Sequence, residues 1–211
     1  VGPIAQVMAS HEITGILNGL AGEGNPFDSR LTHRPYSADS VEEKVFNKLW
    51  MQEMHGLKVS EDAPVFGCVS RLIPRKGFEL LCQVLPEFLE QGAQLVLTGD
   101  GRPEIVEQLK ALRQRFPGQV ALTAYTEESA VEIFSSADMF LMPSQVEPCG
   151  TAQMQAMRYG TVPIVRETGG LKDSVCPYEA WRDAGTGFTF ANYSSADMLH
   201  VIREAVSLYR D

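Results

Sequence analysis

The sequence predicts an α/β fold in which a parallel sheet is covered by helices on both faces, and three observations lead there. From about residue 65 onward, short apolar runs alternate with segments of helical periodicity. The runs are apolar and β-branched enough to be buried strands, and buried strands alternating with helices build a doubly wound parallel sheet. The 211 residues suffice for one such domain with a well-buried core.

Taken in order, Val65 to Val69 reads as the first strand, and Phe78 to Leu89 as a helix interrupted by Pro86. Gln94 to Leu97 is a strand, Glu104 to Arg115 a helix, Val120 to Thr123 a strand and Glu127 to Ser136 a helix. Met139 to Met142, Thr151 to Tyr159 and Val162 to Val165 continue the alternation, and Ser195 to Tyr209 closes it as a helix. The first 60 residues differ. Ile13 to Leu17 is one apolar run, and Ala21 to Asp39 is rich in Gly, Pro, Ser and Asp and reads as an extended loop. Ser40 to Gly56 has helical periodicity with Val41, Val45, Leu49 and Met54 near one face. Ser40 and Glu43 have the spacing of a capping box. The division expected is a leading segment of loop and helix over 1–60 and a Rossmann-like domain over 61–211.

Hydrophobic residues make up 44% and charged residues 21%, as in an ordinary globular protein, and the formal net charge is -9. Such an acidic chain argues against a nucleic-acid or membrane-surface binder, since both need a basic field. Cys68, Cys82, Cys149 and Cys176 have no Cys-x-x-Cys spacing and read as reduced thiols in a cytoplasmic protein, with no metal expected. No apolar run approaches the roughly 20 residues of a membrane span. The start, Val1-Gly2-Pro3, has neither an initiator Met nor a signal core, and reads as a chain cut from something longer.

In an open parallel sheet ligands bind beyond the carboxyl ends of the strands, so the loops there carry the information. Ser70 to Gly77 brings Arg71, Arg75 and Lys76 to a helix start, where exposed N–H groups suit phosphate; it reads equally as a solvated basic loop. It lacks the Gly-x-x-x-x-Gly-Lys-Ser/Thr pattern. Thr98-Gly99-Asp100-Gly101 permits close backbone approach or simply a strand-to-helix turn. Tyr125 stands where an aromatic ring can stack on a base or pack over the sheet edge. Pro143 to Thr151 places Glu147 shortly before Gly150, Thr151 and a helix start: the acid suits sugar hydroxyls or a helix dipole, and the N–H groups suit phosphate. Cys149 reads as a small packed residue. Arg166 to Asp173 contains Gly169-Gly170, a close approach or a tight turn. His11, His33, His55 and His200 lie outside all these loops, and no second acid near Glu147 supports hydrolysis by paired carboxylates.

Read together and in order, Ser70-Arg71-Leu72 with Lys76-Gly77, Glu147-Pro148-Cys149-Gly150, Met157 to Pro163 and Thr168 to Asp173 closely resemble the C-terminal half of bacterial glycogen synthases and plant starch synthases. Gly15 to Gly19 resembles their segment crossing between lobes, so the resemblance runs from about residue 13 to the end. It implies the C-terminal, donor-binding lobe of a two-lobed GT-B glycosyltransferase. Such an enzyme transfers glucose from ADP-glucose or UDP-glucose to the non-reducing end of an α-1,4-glucan with retention, without metal or other cofactor. By matching position, Arg71 and Lys76 would neutralise the diphosphate and Glu147 would contact glucose, these three being the catalytic set. Gly99, Asp100, Tyr125, Cys149, Gly150, Thr151, Thr168 and Gly169 would bind the donor, with Tyr125 near the base.

The sequence departs from that pattern at several positions. Gly150-Thr151-Ala152-Gln153 replaces Gly-Leu-Thr-Gln, Gln145 and Val146 replace Arg and Phe, and Glu167 replaces the second Arg of Arg-Arg-Thr-Gly-Gly. The Asp after Asn-Gly and an inter-lobe Trp are missing from Leu20 to Pro26. The acceptor lobe with its Lys-Thr-Gly-Gly-Leu loop, which would bind the glucan, is not in the chain, nor is a terminal helix crossing back to it. The expectation is therefore donor binding without turnover by this half alone. Two other readings remain: a non-catalytic, degenerate nucleotide-sugar module, and another GT-B hexosyltransferase, though Gln155 stands where sucrose- and mannosyl-type enzymes carry a second Glu.

Overall fold

The structure, a computed structural model, describes residues 8–20, 24–28 and 30–211. Six strands form one wholly parallel sheet: β1 (Val65–Val69), β2 (Gln94–Thr98), β3 (Val120–Thr123), β4 (Met139–Met142), β5 (Val162–Arg166) and β6 (Phe188–Phe190). Their order across the sheet is β3-β2-β1-β4-β5-β6, the arrangement of a doubly wound nucleotide-binding domain. The helices are α1 (Lys44–Met54), α2 (Phe78–Glu90), α3 (Pro103–Arg115), α4 (Glu127–Ser136), α5 (Ala152–Arg158), α6 (Gly170–Ser174) and α7 (Ser195–Arg210).

Because side chains alternate along a strand, β1 to β5 each supply both cores, while β6 gives Phe188 and Phe190 to one. Phe66, Leu95, Leu97 and Leu141 pack with Leu81, Leu85 and Phe88 of α2, Leu109 of α3 and Ile202 of α7. Val65, Val96, Phe140 and Val165 pack on the other face with Met51 of α1, Ile133 of α4, Ala156 of α5 and Leu171 of α6. The predicted spans of β1, β3, α4 and β4 match the structure, since long apolar or strongly periodic stretches decide themselves. Helix α2 runs unbroken through Pro86, because Leu85, Phe88 and Leu89 around it are almost wholly buried and hold the helical path. Strand β6 and helix α6 are additional to the sequence reading; three and five residues long, they carry too little periodicity to be read.

The leading helix requires two corrections. The cap is Ser37, whose hydroxyl accepts from the Asp39 N–H while Ser40 Oγ accepts from the Ser37 N–H, opening a 3-10 segment over Ala38–Glu43. Ser40 lies inside that segment, and Glu43 makes no capping bond; its carboxylate pairs with Arg34 at 2.6 Å. The buried face of α1 is polar, comprising Lys44, Asn47, Lys48 and Gln52 with Met51, while Val41 and Met54 are exposed. Each polar chain is satisfied. Asn47 brackets the Arg34 backbone, Gln52 bonds Ser60 and Gln94, and Lys48 Nζ lies 2.8 Å from Asp138 Oδ2 and 2.6 Å from both Glu61 O and Tyr209 OH. Lys44 donates to the Phe134 and Tyr159 carbonyls and to Thr161 Oγ1. A hydrogen-bonding partner at every position lets a polar stripe replace an apolar one.

Of the leading segment, Gly15–Gly19 is irregular and exposed. Val1-Gly2-Pro3, and Ala21 to Glu23 and Ser29 of the predicted loop, lie outside the described residues. No described helix is long and apolar enough to cross a membrane.

Burial lowers the Lys44 pKa to about 7. From pH 7 up to the ordinary lysine range, the unfolded chain then holds a proton that the folded chain has released, so this residue makes stability rise with pH. Denaturant unfolding at pH 7 and pH 9 is expected to show a gain for the unsubstituted chain that exceeds the gain for Lys44→Met by roughly 1–2 kcal/mol. Equal gains would contradict a buried, discharging Lys44.

Candidate functional site

The order of the sheet reverses between β1 and β4: the chain leaves β1 toward β2 on one side and leaves β4 toward β5 on the other. In a sheet of this order the loops that follow these two strands flank the crevice where ligands bind. They are Ser70–Gly77 and Pro143–Thr151, the two loops that carry the three residues expected to be catalytic, Arg71, Lys76 and Glu147. The Gln145 N–H donates to the Arg75 carbonyl at 2.8 Å, tying them together. Just inside this tie, Lys76 Nζ and Glu147 Oε2 form an ion pair, and Ser144 Oγ lies 3.4 Å from the same carboxylate oxygen.

Local structure explains the pair. Pro74 opens a single 3-10 turn, Pro74–Lys76, which Gly77 ends in the left-handed region at φ 80°, and this points Lys76 across the crevice. Side-chain exposure is 16% for Lys76 and 11% for Glu147, so the attraction acts largely out of water, where it is stronger than at a surface. The ammonium has three donors and the carboxylate two oxygens, which leaves capacity for a ligand on each partner. Sequence reading placed both residues but not their contact, and it assigned no role to Ser144.

A second group lies beside the pair. Val69, Ser70, Arg71, Gly99, Asp100 and Tyr125 line a cavity of about 310 Å³. Arg71 and Asp100 are exposed on its rim, and the Tyr125 ring is 53% exposed at the end of β3 rather than packed over the sheet edge. Thr126 caps α4 through its hydroxyl, which fixes the turn that presents Tyr125. Gly99 serves the joining of the first two loops: a Cβ there would stand 1.9 Å from the Ser70 carbonyl oxygen. The Leu72 N–H donates to the Asp100 carbonyl at 2.9 Å, and the Arg102 N–H to the Leu72 carbonyl at 2.8 Å.

The third group supports Glu147 from behind. Gly169 has φ 47°, and a Cβ on it would meet the Glu147 carbonyl oxygen at 2.2 Å. The Gly170 N–H lies 3.2 Å from the carbonyls of both Glu147 and Pro148. The paired glycines after β5 thus make their close approach to the Glu147 loop, with Thr168 half-buried ahead of them. Cys149 and Gly150 are half-buried and Thr151 is exposed. Thr151 does not cap α5 with its side chain, so the first-turn N–H groups of α5 lack that partner. Among the departures from the family pattern, the Glu167 carboxylate accepts from Thr189 Oγ1 at 2.9 Å and lies 3.5 Å from Lys172 Nζ, so its charge is taken up locally.

Among the described residues no group of three or more His, Cys, Asp or Glu could hold a metal ion. A larger cavity of about 740 Å³ lies between Asn25, Asp28 and Leu31 on one side and the start of α4 on the other, and none of the candidate residues lines it. The charge arrangement favours the crevice as the site: Lys76, Arg71 and the uncapped first-turn N–H groups of α5 can take an anion, and Glu147 can take hydroxyls.

The glycine contact gives a direct test. Gly169→Ala is expected to destabilise the chain by about 3 kcal/mol or more in denaturant unfolding, because it combines left-handed strain with a backbone collision. Gly56→Ala, where φ is 64° with nothing within 4 Å, should cost only about 1–2 kcal/mol. Equal costs would show that Gly169 does not press on the Glu147 loop.

Comparison with known proteins points the same way. The family model for glycosyl transferases group 1 matches residues 52–210. The chain is 40% identical to the glycogen synthase of Clostridioides difficile over 204 residues, 96% of this chain and 42% of that protein. It is 43% identical to the glycogen synthase of Caldicellulosiruptor bescii over 203 residues, 95% of this chain and 42% of that protein. It therefore spans less than half the length of the relatives it matches. Among solved structures, the catalytic domain of starch synthase IV from Arabidopsis thaliana, bound to ADP and acarbose, superposes with a TM-score of 0.82 at 33% identity, covering 89% of this chain and 40% of that one. Sucrose-phosphate synthase from Thermosynechococcus elongatus gives a TM-score of 0.57 at 25% identity, covering 71% of this chain and 38% of that one. The parallel sheet of order β3-β2-β1-β4-β5-β6, the crevice at its switch point and the match over residues 52–210 together establish that the chain belongs to the glycosyl transferases group 1 family, with the fold of a GT-B C-terminal lobe.

Proposed function

We propose that this chain is the donor-binding lobe of a glycogen/starch synthase, which in its whole form transfers glucose from ADP-glucose or UDP-glucose to the non-reducing end of an α-1,4-glucan with retention. The observation that carries the reading is the Lys76–Glu147 pair at the switch point, beside the cavity lined by Arg71, Asp100 and Tyr125. The glycogen synthase relatives and the ADP-bound starch synthase support the same substrate class.

In this reading the base lies against Tyr125, the diphosphate lies between Arg71 and Lys76 with the N–H groups of Gly150 and Thr151, and glucose is held by Glu147. The chemistry follows from charge. Cleavage of the glucose–phosphate bond leaves negative charge on the departing diphosphate, and two cations held at that position stabilise it more than the bound donor. They serve the role a metal ion plays elsewhere, so no cofactor is invoked. Glu147 is the single carboxylate at the sugar, and the leaving phosphate assists deprotonation of the acceptor hydroxyl. The glucan is presented by a second lobe, and the working compartment is the cytoplasm. Between ADP and UDP, the starch synthase bound to ADP favours the adenine nucleotide.

Calorimetric titration with ADP-glucose, UDP-glucose and ADP tests the reading. The chain is expected to bind ADP-glucose, and Lys76→Ala to weaken ADP binding at least tenfold, the equivalent of one charge-assisted contact of about 1.5–3 kcal/mol. Glucan elongation by this chain alone is expected to be undetectable. Absence of binding to all three ligands, or unchanged binding in Lys76→Ala, would refute the donor site.

A further inference from the structure

The Glu147 loop is fastened at both ends by side chains with hydrogen-bonding capacity to spare. Gln153, in the first turn of α5, is 0% exposed. Its Nε2 lies 3.3 Å from the Cys149 carbonyl oxygen, 3.2 Å from that of Gly150 and 2.9 Å from Ser174 Oγ. The Ser174 hydroxyl in turn donates to the Gly170 carbonyl at 2.6 Å, and the Gly170 N–H points back to the Glu147 carbonyl at 3.2 Å. These contacts close a ring running from Glu147 through Gly170, Ser174 and Gln153 to Cys149 and Gly150. At the other end, Arg166 Nη1 donates to the Gln145 carbonyl at 2.8 Å, while its guanidinium lies 5.7 Å from the centre of the Tyr193 ring.

Two atoms of this fastening have no hydrogen-bond partner among the described residues: Gln153 Oε1 and Arg166 Nε, both buried. Gln153 Oε1 faces Gly150, where it would stand 2.6 Å from a Cβ built on that residue. A buried amide with an idle oxygen carries a desolvation cost that an apolar side chain of similar volume avoids. Packing therefore does not account for a glutamine here; the orientation of the Cys149 and Gly150 carbonyls does. In a trans peptide the N–H points opposite to its carbonyl, so holding those carbonyls on Gln153 turns the Gly150 and Thr151 N–H groups away from it.

We propose that Gln153 is the positioning residue of the donor loop: through the ring with Ser174 and Gly170 it fixes the peptides that receive the distal phosphate of a nucleoside diphosphate. The inference rests on the donor-site reading above and deepens it. Gln153 does not touch the ligand; it acts through the backbone it holds.

The test is calorimetric titration of the unsubstituted chain, Gln153→Met and Ser174→Ala with ADP-glucose, ADP and AMP, with melting temperature recorded for each. Gln153→Met keeps the volume and removes the hydrogen bonds. It is expected to weaken ADP-glucose and ADP at least tenfold while leaving AMP, which lacks the distal phosphate, within twofold. Ser174→Ala, which removes one link of the ring, is expected to shift ADP about threefold in the same direction, and it decides the matter if Gln153→Met fails to fold. ADP affinity within twofold of the unsubstituted chain in the decisive variant overturns the proposal, as does an equal loss for ADP and AMP. Failure of the unsubstituted chain to bind any of the three overturns the donor-site reading itself and this inference with it.

Discussion

The ion pair between Lys76 and Glu147 joins the two loops that diverge at the switch point of the sheet, and the other features of the site are arranged around it. Loops leaving β1 and β4 have no ladder to keep them in register. Charge does that here, helped by one backbone bond from Gln145 to Arg75. Because both side chains are mostly out of water, separating them without a replacement partner leaves a costly buried charge on each side. An anion for Lys76 and hydroxyl groups for Glu147 would be such replacements. The pair thus ties the two loops together while each partner keeps hydrogen-bonding capacity to spare.

Everything behind the pair keeps Glu147 in place. Gly169 and Gly170 let β5 and α6 approach its backbone within hydrogen-bonding distance, and Gln153 and Arg166 hold the flanking carbonyls, with Ser174 accepting from Gln153 in turn. Sites that discriminate between charge states need this rigidity, since an electrostatic contact that must reorganise during reaction loses most of its effect. The far end of the sheet uses a related device for stability alone. There Lys44 and Lys48 of α1 are buried against carbonyls, Asp138 and Tyr209, so the leading helix is locked to the sheet by polar contacts.

How much of this was legible in the sequence depends on the kind of signal. The strands and most helices were, because apolar runs such as Met139–Met142 and periodic ones such as Glu127–Ser136 admit one reading. The loops of the site were also legible, since strand ends in a parallel sheet are where ligands bind, and Arg71, Lys76, Glu147 and Tyr125 all stand there. The buried face of α1 was not. A rule that buries apolar residues selects Val41 and Met54, while the chain buries Lys44, Asn47, Lys48 and Gln52, whose partners include Gln94, Phe134, Asp138 and Tyr209 on elements brought near only by the fold. The same holds for Gln153: its partners on the Glu147 loop are near in sequence, but Ser174 is 21 residues away and closes the ring only in three dimensions. The glycines after β5 announced a close approach without saying to what; the answer, the Glu147 loop, needed the fold.

The central claim is that the crevice organised by Lys76 and Glu147 receives a nucleotide-sugar donor. A crystal structure of the chain with ADP-glucose tests it most directly. The account predicts the diphosphate between Arg71 and Lys76 Nζ, the base against Tyr125 and glucose at Glu147. Nucleotide found instead in the cavity between Asp28 and α4, with the Lys76–Glu147 pair undisturbed and no ligand beside it, would contradict the account.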